Sequence, residues 1–309
     1  MIIGKLALGL LASVIGNAAA AEQDLMLEYP RSGPLLAVSG GRVHANVEGE
    51  GPDLVLIHGA SGNLRDFTFD LVKRLKAEFR VIALDRPGHG WSELDAPGGN
   101  DVETAAAMLR EAAAALGVSR PIVLGHSYGG AVALAWGLQD PIGTHGLVIL
   151  AGASMPFGAT GRPVTLSEER FAPPPALPRM VVATLVDQTL ARIFAPQIPP
   201  PGYADNIGAP LALRPGTFRL NAWQLATLSS DLEPMVRRYT DLPLPVEIVH
   251  GADDRTVSVR SHAASLARLL PNATLTILEG VGHMPHHAEP EAVVAAIRRV
   301  AAQKRSDAG

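Results

Sequence analysis

The chain has 309 residues, a formal net charge of -4, 47% hydrophobic and 18% charged residues, and no cysteine. That size suits one large domain or one domain with an insertion, and the composition excludes an intrinsically disordered chain. The absence of cysteine excludes disulfides, thiolate catalysis and cysteine zinc sites, and the lack of a basic cluster argues against nucleic acid as a partner.

Residues 1–21 have the layout of a secretory signal peptide. Lys5 supplies a positive charge, Leu6 to Ile15 an apolar stretch, and Ala19-x-Ala21 a small-residue cleavage site before Glu22. The segment is short for a membrane span. Export to the periplasm or the medium is therefore expected. The alternative is an uncleaved anchor that associates with the membrane through residues 1–21.

Leu35 to Val38 reads as a first strand. Arg42 to Glu48 alternates apolar and polar residues, as an edge strand with one wet face does. Asp53 to Ile57 is continuously apolar and predicts a strand buried on both faces. A small-residue loop, His58 to Asn63, follows it. Phe67 to Phe79 has helical spacing, with Phe67, Leu71, Val72, Leu75 and Phe79 on one face. Arg80 to Leu84 is the next buried strand, and Asp85 to Ser92 a turn-rich connection. Asp101 to Leu116 is an alanine-rich helix with Gly117 placed to cap it. Pro121 to Leu124, Gly130 to Trp136 and Gly146 to Leu150 read as strand, helix and strand. The alternation predicts an α/β fold: a mainly parallel, doubly wound sheet covered by helices on both faces.

Between Ala151 and Asp241 the alternation stops. Pro173-Pro174-Pro175 and Pro199-Pro200-Pro201 divide this stretch, and Met180 to Phe194 and Ala222 to Leu228 predict helices within it. It is too long for a plain loop. It reads as a helical lid, residues 155–239, inserted after the sixth strand, with residues 22–154 and 240–309 forming the core. The sheet resumes at Val246 to Val249. A helix from Val259 to Leu270, a strand from Ala273 to Leu278 and a helix from Glu289 to Gln303 complete the chain.

Gly125-His126-Ser127-Tyr128-Gly129 is a G-x-S-x-G sequence between a strand and a helix. In that setting the sharp turn strains the middle residue and points its side chain off the end of the sheet. Ser127 would be a nucleophile at a helix N-terminus, where backbone N–H groups face incoming negative charge. A serine nucleophile needs a base, and the base needs an orienting carboxylate. Of the ten histidines, His283 lies in the loop after the last strand and can reach the same rim. His286 and His287 mark the start of the final helix. The side chain of His126 should point away, and His58 and His89 suit structural hydrogen bonds in turns. His44, His145, His250 and His262 have no supporting context. For the carboxylate, Gly251-Ala252-Asp253-Asp254 offers Asp253 and Asp254. The strand end at Ala151 to Ser154 offers none, and the nearest acid beyond it is Glu168. The oxyanion needs two preset backbone donors, for which the N–H groups of Tyr128 and Ala60 are placed.

Taken together, His58-Gly59, Asp85 to Ser92, Gly125 to Gly130, Gly251 to Asp254 and Gly282-His283 resemble the α/β-hydrolase superfamily of esterases, lipases and peptidase-like enzymes. The resemblance implies a triad in the order Ser127, Asp254, His283, with the acid three residues after Gly251. It implies an acyl-enzyme mechanism that uses neither metal nor organic cofactor. A serine at the nucleophile position counts against a haloalkane dehalogenase or an epoxide hydrolase. Hydrolysis of small apolar carboxylic esters is the expected reaction, because the lid is rich in Leu, Val, Ile, Phe and Pro. Amide or peptide cleavage, carbon–carbon hydrolysis and perhydrolysis would use the same triad. A non-catalytic binding member of the fold is a third possibility.

Overall fold

A computed structural model describes residues 24–95, 100–157 and 179–303. The expected signal segment, Glu168 and the proline cluster at 173–175 lie outside these. The chain divides into two compact units, Met1–Ser32 and Gly33–Gly309. In the first, residues 24–28 form one short helix, α1. All the strands and the remaining helices belong to the second.

The strands are β1 (Leu35–Val38), β2 (Gly41–Glu48), β3 (Asp53–Ile57), β4 (Arg80–Leu84), β5 (Glu93–Leu94), β6 (Ile122–His126), β7 (Gly146–Leu150), β8 (Val246–Gly251) and β9 (Ala273–Leu278). They form one sheet in the order β1-β2-β4-β3-β6-β7-β8-β9, with β5 paired to β2. Every pairing of β2 is antiparallel, and every pairing from β4 to β9 is parallel. The apolar runs account for this. β3, β6 and β7 are buried almost throughout because helices cover both faces of a parallel sheet. β5 was not expected. Two residues carry no periodicity, and only their pairing with Gly41 and Arg42 makes them a strand. β5 raises the count by one, so the strand at Gly146–Leu150, sixth in the sequence reading, is β7, and the helices Arg179–Phe194, Tyr203–Asn206 and Pro215–Val236 lie between it and β8.

The remaining helices are α2 (Arg65–Thr68), α3 (Leu71–Leu75), α4 (Val102–Ala115), α5 (Tyr128–Gln139), α6 (Arg179–Phe194), α7 (Tyr203–Asn206), α8 (Pro215–Val236), α9 (Ala263–Leu269), α10 (Pro285–Ala288) and α11 (Pro290–Ala302). The single helix expected over Phe67 to Phe79 is instead α2 and α3. Asp70 has φ -141°, which breaks the helix, and its carboxylate receives Arg74 one turn on. Leu71, Val72 and Leu75 are still buried, so the periodicity read the face correctly but not the break. α4 starts as expected, with the Asp101 carboxylate accepting from Thr104 N–H at 2.7 Å. α8 is far longer than Ala222 to Leu228 because Pro215 opens it at the first turn, where a missing N–H costs nothing.

One apolar cluster joins α4, α5, α9 and the C-terminal half of α8 to one face of the sheet. Another joins α2, α3 and α11 to the opposite face. The chain leaves β3 towards β4 on one side and returns to β6 on the other. That reversal opens a crevice at the C-terminal ends of β3 and β6, where ligands bind in open α/β sheets. The loops leaving those two strands carry Ala60 and Ser127.

Candidate active site

Ser127 sits between β6 and α5 with φ 53° and ψ -117°. A non-glycine residue pays for such a conformation, and surrounding contacts must hold it. Here Ser127 N–H donates to Leu150 O at 2.9 Å, and its carbonyl accepts from Gly130 and Ala153 N–H. The flanking glycines are required by close approach. A Cβ on Gly125 would lie 2.0 Å from Gly129 O, and one on Gly129 would lie 2.2 Å from Ile57 O.

His283, in the loop between β9 and α10, reaches across the sheet end. Its Nε2 lies 2.9 Å from Ser127 Oγ and its Nδ1 lies 2.7 Å from Asp254 Oδ2. An ionised carboxylate only accepts, so Nδ1 carries the proton and Nε2 can receive the serine O–H. Asp254 is buried, whereas Asp253 points to solvent. The other Asp254 oxygen accepts from the N–H groups of Thr256 and Val257. Burial alone would raise this carboxyl. Hydrogen bonds from His250 and His283, and the charge of His283, outweigh burial and hold it well below the usual carboxylate range. It is therefore ionised at any working pH. No ion pair joins Asp253 to Arg255 among the described residues.

The structure brings Ser127, His283 and Asp254 together, and it places the His58–Asn63 loop beside them. A Cβ built on Gly59 would be 3.1 Å from Ser127 Cβ. Tyr128 is the first residue of α5, so its N–H is among those a helix leaves without an internal partner.

Several contacts were not visible in the sequence. His250 places Nε2 3.1 Å from Asp254 Oδ2 and 2.8 Å from Val257 O. Its position four residues before the acid, across the turn that ends β8, was the available signal. His126 donates from Nε2 to the backbone carbonyl of His283 at 2.9 Å. His286 and His287 both turn to the buried Asp66, at 3.1 and 2.8 Å, and Tyr203 O–H donates to the same carboxylate at 2.6 Å. The loop that carries His283 is thus fixed on its backbone and on the helix that follows. Asp66, His126 and His286 come close enough to be considered as metal ligands. The Asp66 carboxylate, however, is already engaged by two imidazoles and a phenol.

Comparisons with known proteins agree with this architecture. The family model described as "Alpha/beta hydrolase family" matches residues 54–296. A 2-hydroxymuconate semialdehyde hydrolase from Pseudomonas putida is 28% identical, over 85% of this chain and 92% of the relative. A pimeloyl-[acyl-carrier protein] methyl ester esterase from Nitrosomonas europaea is 29% identical, over 82% of this chain and 96% of the relative. The crystal structure of an alpha/beta hydrolase fold protein from Burkholderia ambifaria superposes with a TM-score of 0.71 at 27% identity, covering 86% of this chain and 97% of that one. These likenesses support a hydrolase. With the family model spanning the sheet from β3 to the last helix, this chain belongs to the alpha/beta hydrolase family.

Proposed function

We propose that the protein is a serine hydrolase that cleaves small apolar carboxylic esters. The observation that carries the reading is the unbroken hydrogen-bonded path from Ser127 Oγ through His283 to Asp254, at 2.9 and 2.7 Å, on a serine held at positive φ. As Oγ attacks the ester carbonyl carbon, its proton passes to His283 Nε2. The carbonyl π pair moves onto oxygen, which the N–H groups of Ala60 and Tyr128 receive. Collapse breaks the C–O bond to the alcohol, which leaves with the proton from His283. Water then attacks the acyl-enzyme with His283 again as base, releasing the acid and restoring Ser127. Asp254 keeps the imidazole in the Nδ1–H tautomer and stabilises its charged form.

The same reading makes residues 155–239 a lid that excludes water from the acyl-enzyme, and residues 1–21 a signal for export. A second reading, in which the same triad acts on a substrate other than an ester, such as a carbon–carbon bond, is favoured by one observation, the likeness to the Pseudomonas putida semialdehyde hydrolase.

The deciding experiment is labelling with a fluorophosphonate followed by a panel of esters, aminoacyl amides and diketones. Wild type should label at Ser127, Ser127→Ala should not, and aliphatic or aromatic esters should turn over fastest. A folded Ser127→Ala variant with normal ester turnover would remove the nucleophile assignment. Preference for the diketones would favour the second reading.

A further inference from the structure

Arg86 is fully buried, yet no carboxylate pairs with its side chain among the described residues. Its guanidinium donates from Nη1 to Gln224 Oε1 at 2.9 Å, and from Nη2 to Gly59 O at 3.2 Å and His89 Nε2 at 3.3 Å. Its Nε has no hydrogen-bond partner among the described residues. The guanidinium carbon lies 4.2 Å from the centre of the Tyr128 ring. Burial lowers its pKa to about 10, which still leaves it charged at neutral pH. An unpaired buried charge is expensive, and a fold that needed only packing here would be served better by an apolar side chain.

The two histidines beside it do not add to the charge. Arg86 backbone N–H donates to His58 Nε2 at 2.9 Å, so the His58 proton must sit on Nδ1, which donates to Gly59 O at 2.8 Å. Burial and the Arg86 charge push His58 down to about 4, and the same two causes hold His89 well below the usual range. Both rings are therefore neutral, and a single cation remains at the centre.

The target of these donors is informative. Gly59 O belongs to the same peptide unit as the Ala60 N–H. In a trans peptide the two point in opposite directions, and Ala195-Pro196 is the only cis bond among the described residues. With Gly59 O fixed on the Arg86 and His58 side, Ala60 N–H faces away from them. Donation to a carbonyl also polarises the amide and strengthens its N–H as a donor. The loop is held from the other side too. Ser61, at φ 54°, donates its N–H to Asn221 Oδ1 at 2.8 Å and receives Asn221 Nδ2 on Oγ at 2.9 Å. Asn221 and Gln224 are three residues apart on one face of α8.

We propose that Arg86, assisted by His58 and held by Gln224, is a positioning residue for the oxyanion site, acting through the Gly59–Ala60 peptide and supplying a fixed positive charge behind the Ala60 donor. The inference rests on the acyl-enzyme reading above. Its charge is unpaired because a counter-ion would cancel the field that the developing oxyanion uses.

The test uses the full chain and begins with fluorophosphonate labelling of the wild type. Labelling at Ser127 establishes the underlying reading, and its absence defeats that reading and this inference together. Two variants then follow, Arg86→Met and Gln224→Glu. The second keeps the side-chain shape but gives the guanidinium a counter-ion, so it decides the matter if Arg86→Met does not fold. Each is assayed for kcat, for KM and for inhibition by a trifluoromethyl ketone, which forms an oxyanion on the enzyme. Removing a direct oxyanion donor costs on the order of 10²–10³ in kcat. The expected indirect losses are smaller, about tenfold or more for Arg86→Met and at least about threefold for Gln224→Glu. KM should stay within about twofold, and affinity for the ketone should fall by the same factor as kcat. A labelled enzyme whose folded variants keep kcat, or lose it without a matching loss of ketone affinity, would overturn the inference and leave Arg86 a packing residue.

Discussion

His250 Nε2 lies 3.1 Å from Asp254 Oδ2, the same oxygen that His283 Nδ1 approaches at 2.7 Å. One carboxylate oxygen thus faces two imidazoles, and its partner oxygen accepts two backbone N–H groups. The acid is fixed in direction before any substrate arrives. Asp254→Asn keeps the shape but offers an amide that can stabilise the wrong tautomer of His283. Its turnover should fall by on the order of 10³–10⁴. Asp253, exposed beside it, should tolerate Asn within a few-fold. Steady-state kinetics of the two variants check this, and the reverse ranking would move the acid role to Asp253.

Catalysis should also depend on pH in one direction. Asp254 is held ionised by its partners, so it does not titrate in the working range. Only neutral imidazole can take the Ser127 proton, so kcat/KM should rise from acidic pH and then level off. A rate that is flat from acidic to neutral pH would argue against a histidine base.

Asp231, on α8, predicts a stability effect of opposite sign to that of Asp254. Burial and the nearby Asp101 push its carboxyl up to about 6. The folded state therefore prefers the neutral acid. Stability is lost as pH rises from the unfolded carboxylate range through about 6, and the penalty is complete above that. Asp231→Asn should remove it. With allowance for partial exposure, the gain is on the order of 1 kcal/mol, about 2–4 °C in Tm at pH 8, vanishing near pH 4. Thermal melts at both pH values measure it, and an equal change at the two would disprove the cause.

For export, mass spectrometry of protein from the native host should find Glu22, or a residue close to it, as the N-terminus. Intact Met1 in the membrane fraction would favour an anchor. Among the described residues no helix is long and apolar enough to cross a membrane.

The parts of this molecule that could be read from sequence are those whose signal is local. Val55 to Ile57 and Val148 to Leu150 announce buried strands because each residue is apolar and its neighbours are too. Gly125 to Gly129 announces the turn because close backbone approach demands glycine at fixed offsets. His283 could be placed because it follows a strand by a few residues, whereas the same reasoning offered Asp253 and Asp254 alike and only the family resemblance chose between them. Long-range pairing left no such trace. Arg86 and Gln224 are 138 residues apart, and nothing near Arg86 hints that a glutamine amide receives it. His250 has no supporting context in the sequence, because only the folded turn brings Asp254 back against it. The break at Asp70 was hidden because both short helices bury the same apolar face.

The burial of α8 has a mechanical consequence. Its N-terminal half braces the loops around Ser61 and Arg86 through Asn221 and Gln224, while Leu228, Leu232 and Met235 in its C-terminal half are buried in the same apolar cluster as the sheet. Exposing three such side chains would cost about 1.5–3 kcal/mol each, a sum of about 5–9 kcal/mol, comparable to the whole stability of a typical domain. A swinging motion of this helix is therefore as improbable as melting the protein. The wall that carries Asn221 and Gln224 is a fixture, and whatever admits substrate must move around it.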